Sequence, residues 1–398
     1  MASYLDDRPT TVGNIYFVWN PHQPLPAGTG GTENYTIGHV RELNRRGLNA
    51  HVVTIGVGMT DGRDEFADVP FLSMACVADV GELDGVVIFV AEFPVVRTKR
   101  PAYQMLHVPP PGDAAGRVRI AATMQDRSLI ATSRFSARLW AEFLDVDMDT
   151  ISIVYPYAEA CFSTEIRPPS EETGTRILYA GRLSPEKGIY TLLAMLDLDP
   201  AGQERTFTCT ATTAGSDKPQ GRNIERVLEA HPSVRLVPRR TTPSAMATLM
   251  ARHDIIVMPS NSQYWHETFG IVSIEAQHSG CRVVASDDGG LPETDCGSIT
   301  LVAPDDPAAL ARGIREAAAL GSVDELIRID AAARFTVDNS VDDLIDVLLM
   351  PSPITPAAVV RDLETLVRLP AAAEPLERPA LQTPAWSSAA DASGPLFG

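Results

Sequence analysis

Apolar residues in this chain come in short runs separated by loops. "NIYFVWN" (Asn14 to Asn20) is the first. A Pro- and Gly-rich loop, "PHQPLPAGTGG", follows, and then "TENYTIGHVRELNRRG", in which apolar positions recur at helical spacing. The order is strand, loop, helix. The next runs, "NAHVVTIGV", "GVVIFVAEF", "AYQMLHV", "SLIATS" and "TISIVYP", alternate with loops and with helical patterns such as "SRFSARLWAEFLD". Strands separated by helices predict a parallel sheet covered on both faces. The polar stretch "STEIRPPSEETGT" interrupts the pattern as a linker. A second series then runs through "RILYAGRL", "FTCTATTAG", "VRLVP", "DIIVMPS", "CRVVASD" and "SITLVAP".

The expected fold class is therefore α/β, with two Rossmann-like domains whose parallel sheets face each other across a cleft. The expected organisation is an N-terminal domain over 1–162, a linker over 163–175 and a C-terminal domain over 176–335. Helices over 336–369 are expected to return to the N-terminal domain, and eight prolines in the last 48 residues predict a Pro/Ala-rich disordered tail over 370–398.

Composition narrows the function. A chain of 398 residues is too long for one ordinary core. The net charge of −18 disfavours nucleic acid and anionic membranes, both of which demand concentrated Lys and Arg. No apolar run is long enough to span a bilayer, and "MASYLDDRPTTVG" has an acidic pair where an export signal needs a basic region. The expectation is a cytoplasmic protein without membrane insertion. Five scattered cysteines without a CxxC pair argue for reduced thiols and against a zinc knuckle. Lysine is scarce: Lys99, Lys187 and Lys218 stand against thirty arginines.

Ligands of open parallel sheets bind beyond the carboxyl ends of the strands, so motifs placed there carry most weight. "GTGG" (Gly28 to Gly31) precedes a helix, where backbone amides can approach a phosphate. The loop reads GxGGxE rather than the GxGxxG of a dinucleotide fingerprint. "YAGRLSPEKGIYTLL" sets Arg182 and Lys187 in a turn after a strand, a plausible diphosphate clamp and otherwise a solvated turn. "HETFGIVSIEA" places Glu267 just before a helix and Glu275 inside it. Free amides of Phe269, Gly270 and Ile271 at that helix start would face the same diphosphate. Two carboxylates flanking such a helix end suit a molecule with a sugar on either side of a diphosphate, a nucleotide sugar. "HETFG" is not a zinc motif, because Gly270 stands where HExxH needs its second histidine. No metal site is expected.

Together "GTGGTENYTIGHVRELNRRG", "GRLSPEKG", "HETFGIVSIEA" with its E-x7-E spacing, and "ASDDGGLPE" resemble the retaining family-four glycosyltransferases of the GT-B fold, over roughly residues 14 to 335. The resemblance implies a hexosyltransferase-type enzyme that needs no metal cofactor, with a UDP- or GDP-linked sugar as co-substrate; because residues 1–150 carry 13 Lys plus Arg against 18 Asp plus Glu and no basic amphipathic helix, a soluble hydroxyl-bearing acceptor is expected. An aminocyclitol or amino sugar is one such acceptor. It implies that Arg182 and Lys187 hold the diphosphate with amides near Gly30, Gly31, Phe269, Gly270 and Ile271, that Glu275 binds the ribose hydroxyls, and that Glu267 holds the transferred sugar. His107, at the end of "YQMLH", would orient a sugar hydroxyl or the acceptor, or else is a buried structural histidine. Two departures stand out: "VRLVPRRTT" lacks the glycine common in the family, and "VYPYAEACF" has Tyr157 and Ala158 where many members turn with Asn-Gly or Gly-Val. A nucleotide-sugar epimerase of the same fold and a non-catalytic nucleotide-sugar-binding module are the alternatives.

Overall fold

The computed structural model describes residues 13–26, 30–111, 114–165, 167–168, 174–198, 207–263 and 265–349. The first sheet has seven strands: β1 (Asn14–Val18), β2 (Asn49–Ile55), β3 (Phe71–Met74), β4 (Gly85–Phe89), β5 (Ala102–Leu106), β6 (Arg127–Ala131) and β7 (Ile151–Ile153). Their order is β3-β2-β1-β4-β5-β6-β7, every pairing parallel. Helices α1 (Gly31–Arg45), α2 (Ala114–Thr123) and α3 (Arg134–Leu144) belong to this domain. A short helix, α4 (Cys161–Thr164), leads towards the second sheet.

That sheet holds β8 (Thr175–Tyr179), β9 (Phe207–Thr212), β10 (Val234–Val237), β11 (Ile255–Met258), β12 (Arg282–Ser286) and β13 (Ile299–Val302), in the order β10-β9-β8-β11-β12-β13, again all parallel. Its helices are α5 (Ile189–Asp197), α6 (Pro219–Ala230), α7 (Pro243–Met250), α8 (Ile271–His278), α9 (Pro307–Ala319) and α10 (Glu325–Ala333). Parallel strands covered on both faces need apolar side chains on both, which is why β11 reads Ile-Ile-Val-Met and is buried at all four positions.

Strand order reverses direction once in each sheet, between β1 and β4 and between β8 and β11. A crevice opens at such a switch point. The Gly30–Gly31 loop follows β1, while Arg182 and Lys187 follow β8 and Glu267 follows β11. The motifs singled out in the sequence thus lie at both switch points.

The last described helix, α11 (Val337–Leu349), packs on the N-terminal domain. Its Val341, Leu344, Val347 and Leu348 share one core with Ile37, Val40 and Leu43 of α1. Burial of such a side chain contributes roughly 2 kcal/mol. Polar contacts fix the register: Arg46 pairs with Asp342, and Ser340 Oγ lies 3.1 Å from His39 Nε2 and donates to the carbonyl of Tyr155 at 2.6 Å. The segments "AAVVRDLETLVRL" and 370–398 lie outside the described residues.

Candidate active site

A cavity of about 620 Å³ lies between the domains. The N-terminal domain contributes Gly30, Gly31 and Glu33; the C-terminal domain contributes Arg182, Lys187 and Glu267, with Gly215 and Arg239 farther along.

Each side chain is placed by local chain chemistry. After β8 the backbone leaves the sheet, and the buried Tyr179 hydroxyl donates to the carbonyl of Arg182 at 2.7 Å, which holds the turn. One turn of 3₁₀ helix, Pro185–Lys187, then ends at Gly188, whose φ is +69°. A Cβ there would sit 1.6 Å from the carbonyl oxygen of Pro259, so only glycine brings Lys187 this close to the loop after β11. The Lys187 ammonium forms an ion pair with Glu267, whose Oε1 also accepts from Ser260 Oγ at 3.0 Å. Burial pushes the Glu267 carboxyl up, but the Lys187 charge and the hydrogen bonds from Lys187 and Ser260 outweigh it and hold the group below its ordinary value. Arg182 reaches Glu186 at 3.5 Å and is more than half exposed.

Glu267 is also fixed through its backbone. Its carbonyl accepts from the Gly290 amide at 2.7 Å, and Gly289, at φ +64°, packs against it so closely that a Cβ would come within 2.3 Å. The "GGLPE" loop is a clamp for Glu267. His266 Nδ1 lies 2.9 Å from both carboxylate oxygens of Asp288. Among the described residues no cluster of His, Cys, Asp and Glu could hold a metal ion.

The other expected residues lie apart from the cavity walls. Phe269 is 2% exposed and packs in the core beneath α8. Gly270, at φ +106°, starts that helix. Ile271 approaches the Cα of Gly31 across the cleft, 3.1 Å from where a Cβ would lie. Glu275 is buried one turn into α8, beyond Val272, which does line the cavity. Burial, and secondarily the charge of Glu159, push its carboxyl up to about 8. His107 directly follows β5, edge-on to Tyr35 with ring centroids 4.9 Å apart. Burial pulls its pKa down to about 3, so the ring is neutral, and its buried Nε2 has no hydrogen-bond partner among the described residues.

Three residues went unnoticed in the sequence. Glu33, in the first turn of α1, lines the cavity. Arg239, in "VRLVPRRTT", lines the cavity. Glu293, in "GGLPE", bridges the domains: it accepts from the backbone amides of Arg134 and Phe135, and from the Tyr155 hydroxyl at 2.9 Å. Thr268 Oγ1 adds a hydrogen bond of 2.8 Å to the carbonyl of His107.

Residues 174–319 match the family model described as Glycosyl transferases group 1. Over 163 residues the chain is 32% identical to the D-inositol 3-phosphate glycosyltransferase of Corynebacterium efficiens, covering 37% of each chain. Over 146 residues it is 36% identical to the glycogen synthase of Mycobacterium tuberculosis, covering 35% of this chain and 33% of that protein. The alignments thus span less than two fifths of either relative. Among solved structures, a glycosyltransferase from Rickettsia africae superposes with a TM-score of 0.67 at 18% identity, covering 84% of this chain and 97% of that one. Anabaena Alr3699/HepE in complex with UDP-glucose superposes with a TM-score of 0.64 at 18% identity, covering 84% and 99%. The likeness to group 1 glycosyltransferases is carried by residues 174–319, and the fold of the two parallel-sheet domains is GT-B.

Proposed function

We propose that this protein is a retaining glycosyltransferase that moves a sugar, a hexose in the simplest case, from a UDP- or GDP-linked donor to a hydroxyl of a soluble acceptor, with an aminocyclitol or amino sugar as the acceptor class. The observation that carries this reading is the meeting, around one cavity, of the Gly30–Gly31 segment from one domain with Arg182, Lys187 and Glu267 from the other. A diphosphate placed there receives backbone amides on one side and two cations on the other. The HepE structure with UDP-glucose is a GT-B neighbour and lends support to the donor class.

In this reading Arg182 and Lys187 neutralise charge developing on the diphosphate as the glycosidic bond breaks. Glu267, kept ionised by Lys187, holds hydroxyls of the transferred sugar and its charge stabilises an oxocarbenium-like transition state. The departing diphosphate accepts the acceptor proton on the same face, which retains configuration. The free backbone amides of Phe269, Gly270 and Ile271 at the start of α8 are assigned to the diphosphate, with Val272 of that helix on the cavity wall. Glu275, one turn deeper than Val272 and largely protonated at neutral pH, is assigned to the ribose hydroxyls, to which a neutral carboxyl both donates and accepts. Neutral His107 orients a sugar hydroxyl or the acceptor. No metal is required, because the cations of the cleft do that work.

The test is thermal-shift screening against uridine and guanosine sugar nucleotides, followed by chromatography of the products with candidate acceptors. A ligand at a hundredfold its Kd adds about 2.7 kcal/mol. Binding of one base series, with transfer lost in Glu267→Gln, supports the reading. An isomerised donor without transfer would replace it with an epimerase, and an intact donor after prolonged incubation with a binding module.

A further inference from the structure

Glu33 is an anion in a cavity whose proposed ligand is an anion. It occupies the third position of α1, counting from Gly31, and lines the same cavity as Arg182, Lys187 and Arg239. Its side chain folds back over the neighbouring glycine: Oε2 lies 2.0 Å from where a Cβ on Gly30 would be, so a side chain at position 30 would displace the carboxylate from this place. The carboxylate therefore covers the backbone that a phosphate would approach. Two cations face it from the other domain, Arg182 from the loop after β8 and Arg239 from the loop after β10. Glu186 already engages Arg182, and Asp217, Lys218 and Glu267 are the remaining charged groups of the cavity wall besides Lys187. Burial raises the Glu33 carboxyl, while its own backbone amide and the two arginine charges act against that.

We propose that Glu33 is a charge filter for the cleft: its carboxylate, held over Gly30, weakens each ligand in proportion to the ligand's negative charge. This rests on the donor reading above. The intact sugar nucleotide, whose phosphates are both esterified, carries less charge than the nucleoside diphosphate left after transfer, and less again than a nucleoside triphosphate. Repulsion by a fixed carboxylate thus selects the donor against abundant triphosphates and speeds departure of the product, specificity obtained by an unfavourable contact with the wrong ligands. A carboxylate in the first turn of a helix also caps it, at the N3 position. A cap alone has no means of distinguishing ligands by charge.

The experiment is calorimetric titration of wild type, Glu33→Gln and Glu33→Asp with UDP-glucose, UDP and UTP, and with the matching guanosine series. The expected wild type binds the sugar nucleotide at least as tightly as the nucleoside diphosphate and rejects the triphosphate. Glu33→Gln is expected to tighten every ligand, with a gain that grows by about three- to tenfold for each added ligand charge. Glu33→Asp, which keeps the charge, should preserve the wild-type ranking. Equal gains for all three ligands, or weaker binding in Glu33→Gln, would overturn the filter while leaving the donor reading intact. Wild type that already prefers ligands in order of rising charge would overturn it without any variant. Failure of both nucleotide series to bind wild type would remove the donor reading and this inference together.

Discussion

Glu293 caps the amide of Phe135 from across the cleft, at 2.7 Å, so a carboxylate of one domain completes the first turn of a helix in the other. The Arg134 amide at 2.9 Å and the Tyr155 hydroxyl at 2.9 Å converge on the same carboxylate. Glu293→Ala leaves three donors without their acceptor. The expected cost is about 1–3 kcal/mol in urea unfolding. Small-angle scattering should show a larger radius of gyration for the variant, because the domains lose a shared cap; an unchanged profile would show that the Thr268 hydrogen bond and the packing of Phe135 on His266 and Tyr155 on Phe269 suffice.

Lys187→Ala strips the counter-ion from a buried carboxylate. Removing one partner of such a pair costs about 3–5 kcal/mol. The pH dependence carries the signature. Glu267 is held below its ordinary pKa in the folded protein, so its contribution is present above the usual carboxylate range and is lost as pH falls through the folded value. In Lys187→Ala burial prevails and that sign reverses. Urea titrations of both proteins at several pH values would detect the crossing.

Glu267→Gln is expected to separate chemistry from binding. The amide keeps the shape and the Ser260 contact but loses the charge, so turnover should fall by about 10²–10³ while donor affinity changes little. A loss confined to affinity would place Glu267 in binding alone.

Glu275 gives the opposite pH behaviour. Its folded pKa is raised from 4.5 to about 8, so the folded state is favoured while the group is protonated and loses stability as pH rises across that window. The loss is about 1.4 kcal/mol per pH unit while the unfolded group is ionised and the folded one is not. Glu275→Gln should flatten the decline in melting temperature between those limits. Identical slopes would mean that Glu275 is solvated in the folded state.

The two-sheet architecture was legible because parallel strands are short, apolar and separated by helical periodicity, as the runs that became β1 and β11 illustrate. The cation turn was legible because lysine is scarce, and Gly188 beside Lys187 proves to be a conformational necessity. What spacing does not encode is which face of a helix meets which cavity. Glu267 and Glu275 were read as two ends of one ligand site; Glu267 lies on the cavity wall, and Glu275 is set one turn into α8, behind the cavity-lining Val272 and close to Glu159. Glu33 was invisible for a related reason: a carboxylate at a helix start has an ordinary local explanation, and its significance arises only when Arg182 and Arg239 arrive from another domain.

The chain passes between the two sheets on its way from β7 to β8, and passes back before α11 returns to α1. Two strands of backbone in parallel behave as a door hinge, where a single strand would act as a swivel. Relative movement of the two domains must then be accommodated at both crossings at once. Since α11 completes the core around Val40 and Leu43, a chain cut ahead of Val337 would lose at once a hinge pin and part of the N-terminal domain's interior.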